Sequence, residues 1–154
     1  GRARDCRSCG GLTIEVLLAE REISRSLTRI ARAMDARDWD GLAAELADDA
    51  TAELGTGPLN GPAAIIALIR RYLDVCGPTQ HLLGNLLVEV DGDTASSRCY
   101  VSDLHLGPAG QHDVTFATLG DYHDRWERRD GAWKLVHRTK LNRAHIGSFA
   151  VFGG

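Results

Sequence analysis

Three residues carry the chemistry that this sequence offers: Asp35, His81 and His105. An aspartate beside a histidine is the smallest apparatus for taking a proton from carbon. The carboxylate fixes the imidazole tautomer and stabilises the imidazolium once the proton has moved. A second histidine can then protonate a leaving hydroxyl or hold a carbonyl oxygen. Asp35 follows Leu27 and Ala31 at helical spacing, so it borders the apolar face of a helix. His81 begins one long strand-like run, and His105 lies near the end of the next. A hairpin turning at Asp91-Gly92 brings both histidines to the same open end of a sheet. On spacing alone a second reading stays open, with Asp35 a solvated helix end and the histidines ordinary strand residues. His112, His123, His137 and His145 show no helpful spacing and read as surface or structural residues. No phosphate-binding glycine loop, HExxH or GxSxG motif occurs. Nothing in the spacing favours a metal at Asp35, His81 and His105. No cofactor is expected, because a base and an acid suffice for elimination.

The elements that must position these residues follow from the hydrophobic periodicity. Ile23, Leu27, Ile30, Ala31 and Met34 recur at helical spacing in a helix that starts near Thr13. Asp38 precedes Trp39 and can cap a second short helix, Trp39 to Leu46. Thr51 to Leu54 reads as a short strand, and the Gly55-Thr-Gly-Pro58 segment as a turn. Pro62 opens a third helix with the stripe Ile65, Ile66, Ile69, Tyr72 and Leu73. The period then changes. Gln80–Val90, Thr94–Leu106, a run from Val114 through Trp126, and Ala132–Leu141 alternate as strands. Helices first and a meander after them predict an α+β domain, with the three helices packed on one face of a strongly curved antiparallel or mixed sheet.

The 154 residues fit one domain. Residues 1–11 read as a disordered leader, 12–146 as the domain and 147–154 as an apolar tail. The net charge is −3 with both signs interspersed, which argues against nucleic-acid and anionic-membrane partners. No apolar run reaches bilayer length, and the first residues lack the apolar stretch of a secretory signal, so the cytoplasm is the expectation. Cys6 and Cys9 form a lone CxxC in the leader without a second ligand pair, and read as dispensable. Cys76 and Cys99 read as small core-side residues.

Three segments carry a family resemblance: Ala33-Met-Asp-Ala-Arg-Asp-Trp-Asp-Gly-Leu42, Pro78-Thr-Gln-His81, and Trp126-Glu-Arg-Arg-Asp-Gly-Ala-Trp-Lys-Leu135. In order and spacing they resemble the SnoaL-like branch of the nuclear-transport-factor-2-like superfamily, over nearly everything from Glu20 to Arg143. The resemblance implies a cone-shaped fold enclosing a pocket. The first two segments are similar to the scytalone dehydratases of that superfamily, which implies catalytic roles for Asp35, His81 and His105. The third is similar to its hexachlorocyclohexane dehydrochlorinases, which implies an Asp35–His81 dyad and a pocket arginine at Arg138. Where the dehydratases have two water-orienting tyrosines this chain has Met34 and Leu54, and where the dehydrochlorinases have a lysine it has Ile30. What both comparisons share is the dyad.

The expected function is therefore a cofactor-independent lyase of the dehydratase or dehydrohalogenase type, or an isomerase, acting on a small apolar cyclic molecule. Tyr122, Phe116, Trp126 and Arg138 are the expected substrate-binding residues. A homo-oligomer is expected, a trimer or a dimer, since the implied relatives assemble so. The alternative is a non-catalytic ligand-binding or assembly module, such as a dioxygenase small-subunit-like protein.

Overall fold

The computed structural model describes residues 11–153; the leader cysteines Cys6 and Cys9 lie outside the described residues. The first helix, α1 (Ile14–Ala36), starts where the Thr13 hydroxyl accepts the Val16 amide at 3.3 Å. Its buried residues include Ile23, Leu27, Ile30 and Met34, the stripe that the periodicity marked. The helix ends in paired carbonyl bonds, Arg37 N–H to Met34 O and Asp38 N–H to Ala33 O. Such an ending needs a left-handed residue, usually glycine. Here Arg37 takes it, at φ 59° and ψ 28°. Asp38 then caps α2 (Trp39–Glu45), which runs without a linker into β1 (Leu46–Glu53). The expected strand at Thr51 is thus longer and begins at Leu46. Within the expected turn, Pro58–Asn60 forms β2, paired with β1. Pro62 opens α3 (Pro62–Leu73) as expected.

The meander follows as β3 (Thr79–Asp91), β4 (Thr94–Leu106), β5 (Thr115–Arg129) and β6 (Ala132–Gly147). The sheet order is β2-β1-β6-β5-β4-β3. All pairings are antiparallel except β1 with β6, so the sheet is mixed. The last strand outruns its expected end at Leu141 by six residues, because its distal half pairs along β5 from Gly120 back to Phe116.

Besides a wider irregularity between Leu46 and Thr51 of β1, three one-residue bulges curve the sheet around α1 and α3. One lies between Gly84 and Leu87 of β3, where Asn85 adopts φ 53°. Two more interrupt the β5–β6 ladder, at Arg125/Trp126 and at Leu119/Gly120. Each inserts one residue into one strand and flips which side chains face inward. The fold is an α+β cone: three helices packed against a curved, unclosed sheet. Its core runs from Ile23 and Leu27 through Leu42 and Leu135 to Trp126. Among the described residues, no helix is long and apolar enough to cross a membrane.

The mouth of the cone is tied by one side chain. The Arg37 guanidinium donates to the carbonyls of Met34 (2.9 Å), Asp35 (3.3 Å), Leu73 (3.0 Å) and Gly77 (3.0 Å), and to Thr79 Oγ1 (2.8 Å). It thereby joins the end of α1, the end of α3 and the start of β3. Gly77 allows this convergence, since a Cβ there would lie 2.1 Å from the Gly107 carbonyl oxygen. Removing these bonds strands half-buried carbonyls, so Arg37→Ala should cost about 2–4 kcal/mol in urea denaturation. Arg37→Lys should recover part of it. A loss for Arg37→Ala within about 0.5 kcal/mol, the range of ordinary surface substitutions, would show that the clamp carries no stability.

Candidate active site

Asp35 is the penultimate residue of α1 and points at the first turn of β3. Its carboxylate accepts from three donors: Thr79 Oγ1 at 2.9 Å, the His81 amide at 3.0 Å and His81 Nδ1 at 2.7 Å. Burial opposes its charge, but the bonds from His81 and Thr79 outweigh this and hold the carboxyl below its ordinary range. An ionised carboxylate only accepts, so Nδ1 of His81 carries its proton and Nε2 is the basic nitrogen. The His81 side chain is 6% exposed and borders a cavity of about 330 Å³ between the sheet and α3. Asp35 does not line that cavity; it stands behind His81.

The hairpin brings the second histidine to the same end of the sheet, as the turn signal predicted, and the bulge between Gly84 and Leu87 turns both histidines to one face. Thr79 pairs with His105 and His81 with Asp103. The imidazoles of His81 and His105 meet edge to face, with centroids 5.6 Å apart. His105 Nδ1 lies 3.2 Å from the Phe116 carbonyl oxygen. A carbonyl cannot donate, so that nitrogen carries the proton and Nε2 holds a lone pair. Burial lowers the pKa of His105, and the nearby His81 lowers it further against the pull of Asp103. A neutral imidazole in this tautomer accepts at Nε2. The role expected for His105, protonating a hydroxyl or holding a carbonyl, would need a proton at Nε2 as well.

Phe116, Tyr122 and Arg138, the expected substrate-binding residues, line the cavity. The Arg138 guanidinium lies over the Tyr122 ring at 3.9 Å and grips Asp124 with two bonds, of 2.8 and 2.7 Å. Both partners of that ion pair are buried. Trp126 is a correction. It is 1% exposed, donates from its indole to Ser97 Oγ at 2.8 Å, and does not border the cavity. It lies four residues beyond Tyr122 along β5, about 13 Å deeper in the core.

The cavity residues that escaped the sequence reading include Asp103, Thr118, Lys140, Asn142 and His145. Asp103 is 1% exposed. It accepts from the Thr118 amide (2.9 Å), the Thr118 hydroxyl (2.7 Å) and Lys140 Nζ (2.6 Å). Burial opposes its charge, and Lys140 with Thr118 more than offsets that, so its carboxyl is held low. His145, read as surface or structural, stacks on Phe116 with ring centroids 5.5 Å apart. The tail closes the same end: Val151 is buried, and Phe152 packs against His105 and Tyr72. The signal for Lys140 and His145 was hidden by the bulges in the β5–β6 ladder. Trp133 and Leu135 face inward, but beyond the first bulge the inward set is Arg138, Lys140 and Asn142, and beyond the second it includes His145. Among the described residues, no three His, Cys, Asp or Glu side chains converge as metal ligands.

An ionised carboxylate orienting a histidine at the wall of a partly apolar cavity can move a proton to and from carbon. The sequence shows the family to which the fold belongs. Residues 15–139 match the model of the SnoaL-like domain, and the chain belongs to that family. The uncharacterized protein Rv2910c of Mycobacterium tuberculosis is 32% identical over 123 residues, covering 77% of this chain and 82% of the relative. Two solved structures share the fold. One is a candidate scytalone dehydratase from Novosphingobium aromaticivorans (20% identity, TM-score 0.79, covering 89% of this chain and 92% of that one). The other is hexachlorocyclohexane dehydrochlorinase LinA-type3 from Novosphingobium barchaimii LL02 (22% identity, TM-score 0.77, covering 88% and 94%).

The low pKa of His105 sets a pH dependence. A histidine whose folded pKa lies below its ordinary value of 6.5 contributes stability above that pH and loses it as the pH falls through the folded value. Asp35 and Asp103 follow the same sign, but only below their ordinary 3.8. Urea midpoints between pH 8 and pH 5 should therefore fall for the wild type, and fall less steeply for His105→Gln. Equal slopes would mean that His105 is not held neutral by the fold.

Proposed function

We propose that this protein is a cofactor-independent lyase or isomerase of the dehydratase type, with His81 as the base that removes a proton from a small, largely apolar cyclic substrate. The observation that carries this reading is the 2.7 Å contact between His81 Nδ1 and Asp35. It leaves Nε2 as the basic nitrogen at the cavity wall. Asp35 stabilises the imidazolium formed when the proton arrives, and the imidazolium returns that proton to a leaving group or to a second carbon. His105 accepts a hydrogen bond from a substrate hydroxyl and so orients it. Met34, Ile69, Tyr72 and Phe116 supply apolar cover for the ring.

Hydrogen exchange from deuterated solvent into the ring ketone 2-tetralone, followed by NMR, tests the base directly. The wild type should accelerate it over buffer. His81→Ala should remove roughly 10²–10⁴-fold of the rate, and Asp35→Asn nearly as much, with both variants folded. Wild-type rates in both folded variants would refute the base. If the wild type catalyses neither this exchange nor elimination from β-hydroxy ketones or chlorinated cyclohexanes, a ligand-binding or assembly module becomes the better reading.

The reading includes self-association. Leu82, Leu87, Tyr100, Leu104, Leu119 and Leu141 stand exposed on the convex face of the sheet, from 42% to 63%. Contiguous apolar surface of this kind favours burial against a second copy. Sedimentation at micromolar concentration should show a dimer or trimer, which Leu82→Asp with Leu119→Asp should convert to monomer. A wild-type monomer at that concentration would refute the assembly.

A further inference from the structure

We infer that a second, smaller void behind Met34 is an alkyl subsite of the cavity, and that the ring this protein binds carries a methyl-sized branch. The void measures about 20 Å³ and lies where α1, α2, α3, β1 and β6 meet. Ile30, Leu42, Ala50, Ala52, Ile65 and Leu135 wall it, and none of them lines the main cavity. Met34, Leu54, Ile69 and Arg138 line both spaces, so one layer of side chains separates the two. Met34 is the adaptable member of that layer, because an unbranched thioether with three rotatable bonds re-packs around a ligand more readily than a branched side chain does.

The void follows from the local sequence of β1. The register of β1 against β6 shifts between Leu46 and Thr51, and the residues that β1 buries beyond Ala47 are the alanines Ala50 and Ala52. Close-packed interiors hold few spaces of this size. One water-sized group takes about 10–15 Å³, so the void accepts a methyl group and not a longer chain. Its polar side chains are engaged elsewhere: Thr51 Oγ1 lies 2.7 Å from His137 Nδ1, and Arg138 gives Nε and Nη2 to Asp124. A buried water needs about two to four polar partners, so carbon fills this space better than water. His81, His105 and Lys140 line the cavity but not the void. A ligand whose polar end is held by those residues therefore reaches the void from one ring position and not from the others.

The inference rests on this cavity as the ring site of the proposed function, and not on His81 as base. Phenol and the 2-, 3- and 4-methylphenols, titrated by NMR, test it. One of the three isomers should bind roughly fourfold or more tightly than phenol, with the other two close to phenol. Lengthening the branch of that isomer to ethyl should bring no further gain. Ala52→Val, which fills the void from a residue outside the cavity, should bind phenol like the wild type and lose the methyl step. Ile65→Val enlarges the void and should move the preference from methyl to ethyl. An equal gain for all three isomers, or a methyl step that survives in folded Ala52→Val, would overturn the subsite. If Ala52→Val does not fold, an unchanged ethyl-to-methyl ratio in Ile65→Val would overturn it instead, and so would a wild type that binds none of the four phenols. A methyl step lost in Ala52→Val but kept in His81→Ala, in a protein without proton-exchange activity, would overturn the base and leave the subsite standing.

Discussion

The geometry of the site depends on one backbone constraint, the left-handed turn at Arg37. A non-glycine residue in that region costs about 1 kcal/mol. Here the cost is offset by what the turn does with the side chain. It folds the guanidinium back under the helix end, where it meets carbonyls from α1, α3 and the segment before β3. The same guanidinium donates to Thr79, whose hydroxyl therefore has its own proton to give to Asp35. The chain Arg37–Thr79–Asp35–His81 is a single relay of donors and acceptors, and its direction is set by the one member that cannot accept. Arginine only donates, so each later group has its role fixed, down to the tautomer of His81.

The charged residues inside the cone follow a different logic. Asp124 with Arg138 is a buried ion pair and Asp103 with Lys140 a partly buried one, with desolvation costs that the Coulombic attraction only partly repays. Apolar residues of the same volume would hold a cone together at least as well. Pairs like these shape the potential inside a cavity. Asp124 takes two bonds from Arg138 and Tyr122 lies under its guanidinium, while Asp103 and Thr118 hold the Lys140 ammonium. Both cations line the cavity, two residues apart on the same strand.

Much of this architecture was legible in the chain. The stripe Ile23, Leu27, Ile30 and Met34 marks a helix because every third or fourth residue must face the core, and Asp35 follows as the residue where that face ends. Asp91-Gly92 marks a hairpin, and equal counting back from it brings Thr79 and His81 opposite Leu106 and Leu104, with His81 and His105 at one end of the sheet but on opposite faces. The bulge between Gly84 and Leu87 shifts that count by one residue, to His105 and Asp103, and so turns both histidines to the same face. The shared end was therefore accessible from turn chemistry and strand length, and the shared face was not.

What the sequence by itself determined is local: where helices start and stop, which strands form hairpins, and which titratable residues fall near an element's end. Only the tertiary structure decided which side of the sheet the residues of β6 occupy. Alternation carried forward from Trp133 and Leu135 puts Lys140 and Asn142 outside, and the bulge opposite Arg125 and Trp126 turns them inward. A second bulge restores the first parity and brings His145 in. Tertiary packing also moved Trp126 out of the expected site and into the core, and chose the protonated nitrogen of His105 by placing the Phe116 carbonyl beside it. The physical reason is the same in each case. A side chain's face on a strand has a period of two, so one inserted residue reverses everything after it, and bulges arise from the demand that a six-stranded sheet bend around its helices.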